Sequence, residues 1–444
     1  MLYVLGVLAV ALGVALSIAL HEIGHLVPAK RFGVKCTQYM IGFGPTLWAK
    51  KIGETEYGIK AIPLGGYVRM LGMFPPKPGR AARMDSTGRW SMLVDQARHE
   101  AQSEIGPQDA DRLFYQRSVP RRIVIMLGGP TMNLLIAVVL LTGLMTIYGQ
   151  ATSTTTIQTA SQCVLPVTAP TNAACSSSDV RAPAAAAGIR PGDRIVEFAG
   201  RPVTSWQQVR DVIRSHGGTE VPVVVERAGQ KVHLTITPIL DKRRVFDANG
   251  QAVVGSDGQP VLEQMGFAGL SPALEQRRQP ISAVPAVIGQ GLAQTAGVIL
   301  RIPQKMVGVA QAAFGSGPRD PNGPVSVIGI GRMAGEVTSV QNGAGGQATI
   351  ADKVAFLVSL VASLNLALFV FNLVPLLPLD GGHVAGALWE GLRRSVAKLL
   401  RRPDPGPVDV ARALPVAYAV ASVLIGMTGL LMLADLVNPI KMTG

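Results

Sequence analysis

His21 and His25 frame Glu22 in the run Leu20-His21-Glu22-Ile23-Gly24-His25-Leu26. On a helix, positions i and i+4 share one face a turn apart. Two imidazoles so spaced suit two corners of a tetrahedral zinc, and the glutamate beside the first can take a proton from water activated at that metal. The motif alone is only suggestive, but its location adds weight. About twenty mainly apolar residues precede it, and an ionisable side chain at membrane depth costs several kcal/mol unless it is partnered. A bound metal is such a partner. The competing reading puts His21 and Glu22 at the cytoplasmic interface, just beyond the lipid.

Zinc in a hydrolytic site needs a third protein ligand and an open fourth position. The best candidate is Asp380, in Asn372-Leu-Val-Pro375-Leu-Leu-Pro378-Leu379-Asp380-Gly381-Gly382-His383. The prolines remove backbone donors and should break the helix there. Irregular backbone survives at membrane depth only where it lines a protein-buried or wet cavity. His383, three residues further toward water, is the second candidate.

The elements that must position these residues are membrane spans. The chain has 444 residues with 16% charged and a mean hydropathy of +0.32, too apolar for an ordinary soluble protein of this size. Four stretches carry the excess: 1–27, 123–148, 353–382 and 413–437. Each is long enough to cross a hydrocarbon core of about 30 Å at about 1.5 Å per residue. The first reads as a retained span, since no basic residue precedes Leu2 and the run ends in ionisable side chains.

The formal net charge is +13, and its distribution follows the positive-inside pattern. Lys30, Arg31, Lys35, Lys50, Lys51, Lys60, Arg69, Arg117, Arg121 and Arg122 follow the first span, and Arg393, Arg394, Lys398, Arg401 and Arg402 follow the third. This predicts a multi-pass protein of the inner (plasma) membrane with both termini and about 150–352 outside. The basic segments face anionic lipid, and no interleaved aromatics point to nucleic acid. Cys36 falls inside as a plain thiol. Cys163 and Cys175 fall outside, where a disulfide or two free thiols are both open.

Segment 28–122 is cytoplasmic, with a glycine-punctuated hairpin at about 39–73 and a polar insert over 75–113 carrying His99, read as a surface histidine. Segment 151–178 reads as a Ser/Thr/Ala-rich linker. From Ala184 the chain shows a helical turn, the Pro191-Gly192-Asp193 turn, a strand, a helix over 206–214 and a hairpin around Arg227-Ala228-Gly229-Gln230. Residues 178–240 so resemble a bacterial PDZ domain, a fold that binds extended peptide by strand addition. His216 and His233 are ordinary residues within it. Segment 241–352 reads as loop, one short strand near 265–270, and an amphipathic helical region over 281–314 that lies on the outer membrane surface or packs as a soluble helix.

Together these residues resemble the site-2 protease family of intramembrane zinc metalloproteases, in its RseP-like bacterial branch. The match rests on His21-Glu22-Ile23-Gly24-His25, Leu379-Asp380-Gly381, Gly129-Pro130-Thr131-Met132-Asn133, the single PDZ-like module and Gly323-Pro324-Val325-Ser326. It is most like the actinobacterial members, which share the Asp435-Leu-Val-Asn-Pro-Ile440 ending. One departure is the second proline, Pro378, which sits one position later than in the family's usual Asn-x-x-Pro-x-Pro-x-Leu-Asp-Gly.

The resemblance implies a polytopic α-helical membrane protein of about four transmembrane helices, with a membrane-associated β-hairpin and one extracytoplasmic PDZ domain. It implies zinc on His21, His25 and Asp380, Glu22 as general base, and a hairpin around Glu54–Gly66 that pairs with unwound substrate. Gly65, Gly66, Asn365 and Asn372 are then substrate-binding, although an asparagine in a span can also simply bond a neighbouring helix. The implied substrate is a single-span protein, an anti-sigma factor already trimmed by a site-1 protease. The alternative is a catalytically inactive PDZ scaffold, against which the complete third-ligand motif argues. A transporter is weaker still, because no repeat relates the spans.

Overall fold

In a computed structural model of the chain, the described residues are 1–76, 94, 96, 99, 101–166, 174–176, 178–245, 253, 261–315, 319–320, 323–340, 342–343 and 346–440. The insert expected over 75–113 therefore lies largely outside them, although His99 is exposed as expected. Contacts divide the chain into two units, one of residues 1–147, 280–343 and 347–444, the other of 148–279 with 344–346.

The first unit is helical. Helix α1 (Leu2–Arg31) packs against α2 (Val119–Gly143). The two meet backbone to backbone: a Cβ on Gly24 would lie 2.3 Å from the Gly128 carbonyl oxygen, and one on Gly128 would lie 1.9 Å from that of Gly24. Small residues let membrane helices approach this closely. Gly128→Leu is therefore expected to force the helices apart and cost about 3 kcal/mol, read as a fall in unfolding temperature in detergent. Wild-type stability in that variant would mean the contact is slack.

Along α1, Gly6 meets Thr338 of α7 (Val327–Ser339), while Gly13 and Ser17 meet Val361 and Asn365 of α8 (Ile350–Asn372). Contacts that ascend together make α1 and α8 parallel. Gly24–Gly128 and His21–Asn133 make α1 and α2 antiparallel. The C-terminal end of α2 and the N-terminal end of α8 thus share one side of the membrane, and the chain between them crosses an even number of times.

Five helices among the described residues are long and apolar enough to cross, the fifth being Ile281–Leu300. Its core, α5 (Val284–Leu300), carries no charged residue, so the region read as amphipathic over 281–314 opens with a helix that is also apolar enough to span. Helix α6 (Ile302–Phe314) follows directly. At about 1.5 Å per residue α6 is too short to cross a hydrocarbon core of about 30 Å. Large side chains such as Leu5, Leu8, Leu12 and Leu16 of α1 and Val423 and Ile425 of α10 (Leu414–Val437) are exposed, as a lipid-facing surface requires.

The α8 helix stops at Asn372, and Asp380 opens a separate helix, α9 (Asp380–Leu399). The expected span 353–382 is therefore a helix, a proline-broken turn and a new helix start. Helix α9 is tied to α2 by a buried pair, Glu390 with Arg122, and Glu390 also accepts from the Val408 N–H at 2.9 Å. At the other end, Asp435 of α10 accepts from the Ser326 N–H at 2.6 Å and from Arg319 at 2.9 Å. That contact joins the Gly323–Ser326 motif to the C-terminal one.

Strands β1 (Cys36–Ile52) and β2 (Thr55–Met70) are each bent and pair twice. Tyr39 pairs with both Val68 and Tyr57, and Tyr57 also pairs with Lys50. The result is a four-stranded antiparallel sheet, more than a hairpin, with the second half of β2 at one edge. Gly42, at φ +93, makes the bend in β1, where a Cβ would lie 2.7 Å from the Ile62 carbonyl oxygen. Phe43, Leu47, Trp48, Ile52, Ile59 and Ile62 are exposed on this sheet. Cys36, the first residue of β1, is buried, and burial pushes its thiol up to about 12, which leaves it inert.

The second unit holds a sheet in the order β10-β3-β4-β6-β7, with β5 (Arg201–Pro202) beside β4. The ranges are β3 Gln150–Ala160, β4 Arg194–Phe198, β6 Val221–Arg227, β7 Gln230–Ile236 and β10 Leu270–Arg277. The expected linker over 151–178 is thus a strand in its first part. Its threonines are β-branched and suit a pleated surface, and Ile157 anchors it in the core with Ile195, Phe198, Val223, Val225 and Ile236. Cys163 and Cys175 are joined, closing a loop worth about 3 kcal/mol in the chain-entropy model.

The elements expected over 178–240 are present: the turn α3 (Pro183–Ala186), β4, the helix α4 (Trp206–Ser215) and the β6–β7 hairpin. Burial raises the Asp193 carboxyl, but Arg227 and the Arg190 N–H outweigh it and hold it below the usual carboxylate range. Among the described residues of 241–280 there is more strand than expected. A further pair, β8 (Ile239–Arg244) with β9 (Leu262–Phe267), stands beside β10 in sequence.

Candidate metal centre

Residues His21 and His25 project from the last third of α1 with their Nε2 atoms 3.3 Å apart, and Asp380 Oδ2 lies 3.4 Å from each. Tetrahedral zinc with bonds of about 2.0–2.1 Å separates its ligand atoms by about 3.3–3.4 Å. The three edges found here have that length. Asp380 Oδ2 is buried and has no hydrogen-bond partner among the described residues, as an oxygen reserved for a metal would be. His383, one turn along α9, is not in the cluster.

Local sequence explains each placement. Asp380 sits at the first position of α9 because Pro375 and Pro378 end the preceding helix. The turn then folds back on the new helix: a Cβ on Gly381 would lie 2.4 Å from the Val374 carbonyl oxygen, and one on Gly382 would lie 2.6 Å from the Leu377 nitrogen. Two glycines after the aspartate are the condition for that packing. From α2, the Ile125 carbonyl oxygen meets His25 Nδ1 at 2.8 Å. A carbonyl can only accept, so His25 carries its proton on Nδ1 and offers the Nε2 lone pair to the cluster.

Glu22 is 8% exposed and stands beside the edge strand. A Cβ on Gly66 would lie 2.9 Å from Glu22 Cγ and 3.2 Å from Glu22 Oε1. Gly66 pairs with Ile41 on one side only, so its other side is open to a further strand among the described residues. The sheet is held to α1 by Tyr39, whose hydroxyl donates to the Ala19 carbonyl at 2.8 Å. Gly65, also on that edge, has φ +107.

Asn365 is fully buried and donates to Ser17 Oγ at 2.9 Å and to the Val361 carbonyl at 2.8 Å. Its partner Ser17 lies one helical turn before His21 on α1, and its own Oδ1 lacks a partner among the described residues. Asn372 is the half-buried last residue of α8.

Two residues escaped the reading of the sequence as site components. Gly129 faces the imidazoles so closely that a Cβ would lie 2.2 Å from His25 Nε2. Asn133 lies 3.0 Å from His21 Nδ1. Their signal was the Gly-Pro-Thr-Met-Asn run inside a span, where a polar side chain needs a partner.

The family model described as Peptidase family M50 matches residues 9–400. The chain is similar to zinc metalloprotease Rip1 of Mycobacterium tuberculosis, 35% identical over 451 aligned residues and 100% of both chains. It is 33% identical to Rip1 of Mycolicibacterium smegmatis over 455 residues, 99% of each. Metalloprotease MmpA of Caulobacter vibrioides is 29% identical over 382 residues, covering 85% of this chain and 84% of that one. With that match across nearly its whole length, the chain belongs to Peptidase family M50, the site-2 proteases, and is a multi-pass membrane zinc metalloendopeptidase.

Proposed function

We propose that the chain cuts single-span membrane proteins within the bilayer, with zinc on His21, His25 and Asp380 and with Glu22 as the proton carrier. The observation that carries this reading is the position of Glu22, between three converging ligand atoms and the open edge of a β-sheet. A helical peptide hides its carbonyls in i→i+4 bonds, so a transmembrane substrate must unwind before it is cut. The edge strand around Gly65 and Gly66 offers free backbone groups to the unwound segment. The exposed apolar side chains of this sheet support its lying in the membrane.

Zinc held by these residues would supply a Lewis acid for the scissile carbonyl. Glu22 is placed to take a proton from the attacking water and to return it to the leaving amine. Asn372, half-buried at the end of α8, is taken to hold substrate backbone, whereas Asn365 is fully buried and its amide N–H groups go to Ser17 and Val361. The ligand side chains are largely buried, which strengthens charge interactions among them.

The reading extends to orientation: the inner membrane, four net crossings, both termini outside and the site opening to the cytoplasm, supported by the even crossing count and the basic segments. We take the second unit as a PDZ-type module for extended peptide, supported by its strand–helix–hairpin order. By family resemblance the substrate is an anti-sigma factor already trimmed by a site-1 protease. The test is the purified chain in lipid with a labelled single-span peptide. Cleavage inside the apolar segment, lost with a chelator and restored by zinc, is expected; cuts only outside that segment would refute the intramembrane reading.

A further inference from the structure

We propose that Asn133 is a positioning residue for the metal: its side-chain oxygen accepts a hydrogen bond from His21 Nδ1–H and so holds Nε2 toward the other ligands. This rests on the ligand set proposed above. Asn133 is fully buried, and one amide atom lies 3.0 Å from His21 Nδ1. The other amide atom has no partner among the described residues. Amide oxygen and nitrogen are interchangeable in shape, so the hydrogen-bond network must decide between them.

The cluster decides it. His21 turns Nε2 toward His25 and Asp380, and a metal ligand nitrogen carries no proton. The proton of neutral His21 is therefore on Nδ1, which needs an acceptor. An NH2 group cannot accept, so the Asn133 oxygen faces the ring. His25 is fixed by the same logic, its Nδ1 meeting the Ile125 carbonyl at 2.8 Å.

Ile125, Gly129 and Asn133 stand at i, i+4 and i+8, on one face of α2. That face presents an acceptor, a bare glycine against which the rings lie, and a second acceptor. It forms a cradle that sets the tautomer and tilt of both histidines. Partners of this kind raise ligand basicity and typically change metal affinity by about 10–100-fold.

The test is zinc affinity of the full chain in detergent, measured by competition with a chelator. Asn133→Leu keeps the bulk and removes the acceptor, and is expected to weaken zinc about 10–100-fold. Asn133→Asp keeps only acceptors and is expected to bind at least as tightly as wild type. A tenfold loss in Asn133→Asp would show that the amide donates, and would overturn the inference. So would wild-type affinity in Asn133→Leu. The aspartate arm keeps the test decisive if the leucine variant fails to fold. If His21→Ala leaves affinity unchanged, the ligand set itself falls and this inference with it.

Discussion

Replacing Glu22 with glutamine is expected to lower cleavage of a single-span substrate by about 10³-fold or more while zinc content stays at the wild-type level. Glutamine has the same shape and fills the same buried place, so packing against the strand at Gly66 is kept. What it lacks is a lone pair basic enough to take a proton from water. General acid–base groups contribute about 10²–10⁴-fold, and Glu22 is proposed to act twice, first as base and then as acid. Zinc should stay, because the three converging ligand atoms come from His21, His25 and Asp380. Glu22→Asp separates presence from placement. It keeps the carboxylate but withdraws it by one methylene, and a displacement of about 1 Å can cost about 10²-fold. Single-turnover cleavage beside metal analysis on the same preparation reads both effects. Undiminished turnover in Glu22→Gln would remove Glu22 from the chemistry.

Much of the site was legible because metal chemistry constrains residue type and spacing so tightly. His21 and His25 had to share a helix face, and an aspartate on a proline-broken span was a rare object at that depth. The supporting parts were less visible. Asn133 was read only as the end of the Gly129–Asn133 motif, with no role in the site, and only the antiparallel register of α1 and α2 brings it to His21. The hairpin became a four-stranded sheet because each strand bends near its middle, and pattern alone cannot say with what a bent strand pairs twice. Strand β3 was hidden by composition: Ser/Thr/Ala-rich sequence suits linkers and β-branched strands alike, and burial of Ile157 made the difference. Helix α5 has small residues spread among its apolar ones, which lowers its hydropathy toward that of a surface helix. Tertiary contacts, more than local propensity, decided each of these.

Asp380→Asn is expected to lose zinc affinity by at least about 100-fold, the upper end of what changes to a ligand's supporting partners produce. The comparison that matters is with His383→Asn, which is expected to bind zinc as wild type does. Both residues lie in the first turn of α9, both were candidate third ligands, and only Asp380 closes the set of 3.3–3.4 Å edges. Asparagine keeps an oxygen at nearly the same point but removes the only negative charge among the three ligands. In a largely buried site that charge matters more than it would in solution, because solvent screens the dication less. Zinc binds only the folded site, so it should raise the unfolding temperature of the wild type and of His383→Asn but not that of Asp380→Asn. Thermal unfolding of the wild type, Asp380→Asn and His383→Asn with chelator and with zinc gives six values. A zinc-dependent rise in Asp380→Asn, with none in His383→Asn, would reverse the ligand assignment and move the third corner of the site one turn along α9.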